Sequence, residues 1–71
     1  MSTITIMKHP AIVPHDNAAF QHETAAYYHR EAALHHEQGE HDEAEVDAKS
    51  ALAHSQEGDK LTKSAHQFSQ K

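Results

Sequence analysis

The sequence predicts an all-α protein: an antiparallel two-helix hairpin, with helices over about 16–38 and 41–70, an extended arm ahead of them, and pairing of two copies into a four-helix bundle. Three observations predict it. His15, His22, His29 and His36 recur every seven residues, almost two turns of α-helix, so one helix aligns all four imidazoles. A stripe of small residues, Ala44, Ala48, Ala51, Ser55, Gly58, Thr62, Ala65 and Ser69, recurs at alternating spacings of four and three. Between the two patterns stands Gly39, a residue suited to the left-handed backbone that ends a helix.

Residues 1–14 differ in character from the rest. Ile4, Ile6, Ile12 and Val13 are β-branched, and Pro10 and Pro14 oppose helix, so this segment reads as an extended arm beside a hairpin domain over 15–71. Asp16 and Asn17, just after Pro14, offer side chains that can cap the free amides of the first helix. Past Gly39, the acids Glu40, Asp42, Glu43 and Glu45 suit the positive end of a second helix beginning near residue 41. Gly58 falls inside that helix, where it costs about 1 kcal/mol against alanine.

Folding back at Gly39 and Glu40 brings together residues whose numbers sum to about 80. His36 then faces Ala44, His29 faces Ala51, His22 faces Gly58 and His15 faces Ala65. The layers between pair Ala32 with Ala48, Ala25 with Ser55 and Ala18 with Thr62, so large meets small at alternate levels. Gly58 gives His22 room. Phe20, Tyr27 and Leu34 form a second heptad series on the far side of the first helix, while Val46, Leu52, Leu61 and Phe68 lie off the small stripe. One hairpin cannot bury both faces, so the arm, a second copy, or both are expected to cover the remainder; a homodimer is the expected assembly.

Composition narrows the chemistry. At 71 residues the chain forms at most one small domain, and with no cysteine it has neither disulfides nor thiolate ligands. Imidazole, carboxylate and two methionines remain as ligands. Eleven acids against six Lys and Arg give a net charge of −5, which argues against a nucleic-acid partner and favours cations. Protonating all nine histidines would move that charge to +4, so metal affinity is expected to fall in mild acid. No segment approaches the length of a membrane span, and residues 1–14 lack the pattern of a secretory leader, so no membrane partner and a cytoplasmic location are expected.

Candidate ligands crowd the turn: Glu31, His35, His36, Glu37, Glu40, His41, Asp42, Glu43 and Glu45 fall within fifteen residues. Glu31 with His35, Glu37 with His41, and His41 with Glu45 are i,i+4 pairs, which can chelate one ion where both members are helical. In the hairpin register Glu45 also faces His35. His35 and His41 with these carboxylates are the sharpest candidate site, set against the bland reading of solvated charge near a turn. The heptad histidines His15, His22, His29 and His36 stand about 10.5 Å apart along the axis and cannot share an ion. As ligands they need partners from the second helix, where His54, Glu57, Asp47 and His66 flank the small stripe, or from a second copy; otherwise they pack on alanine and hydrogen-bond across the hairpin. Tyr27 and Tyr28 read as packing residues.

No HExxH, ExxH, Gly-rich phosphate loop or GxSxG occurs, so no enzyme activity is expected. The expectation is binding, buffering or storage of divalent transition ions, Cu(II) ahead of Ni(II) and Zn(II). The alternative is a structural or protein-interaction hairpin whose histidines are packing residues.

The residues Glu31-Ala32-Ala33-Leu34-His35, Gly39, Asp42, Ala48-Lys49, Leu52 and His54 resemble the small metal-binding proteins of ammonia-oxidising bacteria, over about 28–57. The resemblance implies a small bacterial helical-bundle protein built on histidine-bearing heptads, binding several divalent ions, copper above all, in the periplasm. His35 and His54 match best. The chain departs from that pattern in being shorter, in carrying Asp47 where a histidine is expected, in a first-helix stripe shifted by one residue, and in showing no export signal. A second resemblance covers 33–54, where Gly39-Glu40, Glu43-Ala44 and Ala51-Leu52 look like the helix-turn-helix of a tetratricopeptide repeat. That one implies a dimerising or peptide-binding hairpin.

Overall fold

The computed structural model describes residues 9–70. They form two helices, α1 (Ile12–Glu37) and α2 (His41–Ser69), folded back on each other, with no strand among the described residues. Of the arm expected over 1–14, residues 1–8, with Ile4 and Ile6, lie outside the described residues, and Ile12, Val13 and Pro14 belong to α1 instead of an extended segment.

The early start has a local cause. The first backbone amides of a helix have no intrahelical partner, so Pro14, third in α1, forfeits nothing by lacking an N–H. Ala11 stands at the cap position, its N–H donating to Nδ1 of His9 at 3.0 Å and its carbonyl accepting from the His15 amide at 3.0 Å. Asp16 and Asn17 therefore sit inside the helix, and no side chain caps its start.

α1 ends as Gly39 predicts. Gly39 adopts φ +77°, its N–H donates to the His36 carbonyl at 3.1 Å, and the Glu40 N–H reaches back to the His35 carbonyl at 2.8 Å. These two bonds are the Schellman pattern, which satisfies carbonyls left over at a helix end. Glu40 then opens α2, accepting the Ala44 amide at 3.0 Å, with Asp42 and Glu43 in the first turn where the helix dipole favours acids.

The seam is made of the smallest side chains. α1 buries Ala18 and Ala25, in heptad step with Ala11; α2 buries Ala44, Ala51, Gly58 and Ala65, each seven from the next. Nothing larger than alanine is buried among the described residues, so the backbones approach closely and the long side chains splay outward. Phe20, Tyr27, Leu34, Val46, Leu52 and Phe68 are exposed. The result is a rod of 59 × 23 × 12 Å, one helix thick, whose radius of gyration of 17.0 Å exceeds the roughly 11 Å of a compact globule of this length. No described helix is long and apolar enough to cross a membrane.

Candidate metal centre

The hairpin register is the one the small stripe predicts. A Cβ built on Gly58 would stand 2.8 Å from Cε1 and 2.9 Å from Nδ1 of His22, so that ring fills the gap the glycine leaves. One turn further along α2, Thr62 Oγ1 is hydrogen-bonded to His22 Nε2 at 2.9 Å, and Ser69 Oγ bonds His15 Nε2 at 2.7 Å in the same relation. Two of the four heptad histidines thus brace the hairpin through hydroxyls on the small stripe. His29 is exposed and makes no side-chain hydrogen bond among the described residues.

His54 is also engaged. Its Nδ1–H donates to Gln21 Oε1 at 2.6 Å, and its ring stacks on Tyr28 with centroids 5.7 Å apart and planes 6° from parallel. Tyr28 in turn meets Tyr27 edge-on at 5.2 Å, while Tyr27 itself is exposed.

At the turn the expected ligands divide into two groups. His36, ending α1, and His41, starting α2, bring their Nδ1 atoms to 2.7 Å, with ring centroids 5.0 Å apart and tilted 39°. The Schellman turn puts them there by joining the two helix ends with three residues. His35 faces the other way, toward carboxylates. Glu31 Oε1 lies 3.9 Å from its Nε2, Asp47 Oδ2 lies 3.6 Å from the same nitrogen, and Glu40 Oε1 lies 3.2 Å from Nδ1.

His35 and His41 therefore do not share a centre. Glu37, Gln38 and Glu40 do not continue one helix across the turn, so the i,i+4 relation of Glu37 to His41 is broken. Glu37 and Glu45 are exposed, and neither lies within 4 Å of an imidazole nitrogen among the described residues. The place opposite His35 that Glu45 was expected to fill belongs to Asp47.

The sequence offers Asp47 and Glu40 only as a residue flanking the small stripe and as a member of the turn cluster, without pairing either with His35. Both had a signal: His35 and Asp47 obey nearly the same fold-back sum as His22 and Gly58, and the turn bond from the Glu40 amide to the His35 carbonyl sets Glu40 beside that ring. The cluster is imperfectly satisfied. His35 Nδ1 and Asp47 Oδ2 are shielded from solvent and make no aligned hydrogen bond, although Glu40 is near enough to Nδ1 to attract it. Among the described residues no three histidine or carboxylate side chains are already drawn tightly enough together to hold an ion.

No family model, curated protein or solved structure matches the chain.

Proposed function

We propose that the chain is a small non-enzymatic metal-binding protein that takes up divalent transition ions, Cu(II) ahead of Ni(II) and Zn(II), at the turn end of a hairpin that pairs with a second copy. One observation carries this reading: the Nδ1 atoms of His36 and His41 stand 2.7 Å apart on exposed side chains. Adjacent donors on a tetragonal ion with bonds of about 2.0 Å stand roughly 2.8 Å apart, against about 3.3 Å on a tetrahedral one. The spacing thus suits Cu(II) and Ni(II). Without an ion, one ring donates N–H to the lone pair of the other; an ion held by both Nδ1 atoms requires the donor ring to carry its proton on Nε2 instead, and in acid protons compete with the ion for these nitrogens, so binding weakens. Glu45, four residues after His41 on α2, can supply a carboxylate to the shell, with water completing it.

A second reading rests on a different observation: His15, His22 and His54 are each hydrogen-bonded across the hairpin. In that reading the imidazoles are struts and the hairpin is a protein-interaction module. Calorimetric titration with Cu(II), Ni(II) and Zn(II) at neutral and mildly acidic pH separates the two. Stoichiometric Cu(II) heat that vanishes in acid and falls by one ion per chain in the His36→Ala/His41→Ala variant supports metal uptake; binding no stronger than that of an unrelated acidic protein supports the module.

A further inference from the structure

The carboxylates around His35 present more negative charge than the hairpin neutralises. Glu31, Glu40 and Asp47 all point at one imidazole, which even when protonated leaves two charges over. Arg30 and Lys49 are exposed, and neither comes within 4 Å of these oxygens among the described residues. Asp47 is the telling member. Its side chain is 17% exposed, and its Oδ2 has no contact with solvent and no hydrogen-bond donor. An oxygen in that position is more stable with a cation beside it.

The distances say what sort of cation. His35 Nε2 is 3.6 Å from Asp47 Oδ2 and 3.9 Å from Glu31 Oε1, too far for a hydrogen bond to either. Donors on one tetrahedral ion with bonds near 2.1 Å stand about 3.4 Å apart, so each carboxylate oxygen has to close on His35 Nε2 by only a few tenths of an ångström to reach the spacing of a ligand pair. Glu31 is one-third exposed on a flexible stem and can supply most of that movement. On the other side of the ring, Glu40 lies 3.2 Å from Nδ1 without an aligned bond, and a turn of its exposed carboxylate would let it take the N–H of a metal-bound histidine as outer carboxylates do.

We propose that His35 Nε2, Glu31 and Asp47, oriented by Glu40, form a second site that closes on one tetrahedral divalent ion of the Zn(II) type, with water in the fourth position. One nitrogen and two oxygens suit Zn(II), whereas the paired imidazoles of His36 and His41 suit a tetragonal ion. The inference shares the chemistry of the proposed function but none of its ligands. Because Glu31 and His35 come from α1 and Asp47 from α2, an ion here clamps the helices together one turn before the loop.

The test uses the full chain carrying His36→Ala and His41→Ala, so that failure of the Cu(II) pair leaves it standing. Zn(II) calorimetry is expected to find one ion per chain, and Co(II) in its place is expected to give the visible bands of tetrahedral coordination. Adding Asp47→Asn should weaken Zn(II) by tenfold or more, and adding Glu40→Gln by about tenfold, with the far-ultraviolet circular dichroism of the metal-free protein unchanged. Should Asp47→Asn unfold the hairpin, Glu31→Gln on the exposed rim serves as the ligand deletion and should weaken Zn(II) equally. The proposal is overturned if the histidine-pair variant binds no Zn(II), if Co(II) stays octahedral, or if the folded ligand deletions bind Zn(II) as tightly as their parent.

Discussion

The ring of His22 occupies the space that a Cβ on Gly58 would need, with Cε1 only 2.8 Å from that position. The two residues are therefore one packing unit, and their substitutions should not add. Gly58→Ala alone gains about 1 kcal/mol of helix propensity but drives the ring from its place and breaks its bond to Thr62, a loss of about 0.5–1.5 kcal/mol, so the net change should be small or unfavourable. With His22 already alanine, Gly58→Ala should stabilise by about 1 kcal/mol. Denaturant unfolding of the four proteins measures the difference; strict additivity would show that the ring does not depend on the missing Cβ.

Ala51 is fully buried in the seam, whereas Ala48 one turn earlier is exposed. A leucine at 51 has to push the helices apart along a contact made only of small residues, at a cost of about 1–3 kcal/mol. A leucine at 48 should change stability by no more than about 0.5 kcal/mol. Thermal unfolding of the pair checks the register of the hairpin: equal effects would mean that α2 presents a different face to α1.

Much of this arrangement is legible in the residues because it is periodic. The heptad of imidazoles, the small stripe and Gly39 define helix faces, and the fold-back sum then assigns His22 to Gly58 without further information. The start of α1 is less legible, since Pro14 opposes helix in the interior but is harmless in a first turn, and the residues alone do not say which applies. The site is least legible. Glu45 and Asp47 are two residues apart on α2 and differ by about 200° around its axis; a register known only to within a residue or two cannot decide between them as the partner of His35. Glu40 is a turn residue, outside any helical periodicity, and only the geometry of the Schellman bonds returns it to α1.

His54 separates bracing from ligation. Its bond to Gln21 and its stack on Tyr28 together predict a loss of about 1–3 kcal/mol for His54→Ala, of which Gln21→Ala should reproduce only the hydrogen-bond part. Copper uptake, in contrast, should be unchanged in His54→Ala, because the ring is turned to α1 and away from the turn. Chemical unfolding read beside a Cu(II) titration distinguishes these contributions. A marked fall in ion stoichiometry would make His54 a ligand.

The outer face of α1 predicts the assembly. Phe20, Tyr27 and Leu34 are 62, 53 and 43% exposed and lie seven residues apart, so they form a straight apolar stripe along a rod only 12 Å thick. A single layer of helices with an alanine seam has no core of its own to sustain it, and a second rod laid against this stripe buries large side chains that the first leaves in water. Unfolding of a pair is coupled to dissociation, so the midpoint temperature should rise with protein concentration, and sedimentation should give twice the mass of one chain. Phe20→Lys with Tyr27→Lys should yield a monomer of much lower stability, its midpoint independent of concentration. If the unaltered chain already sediments as a monomer at high concentration, the stripe faces some other surface, and pairing of two copies is not what covers it.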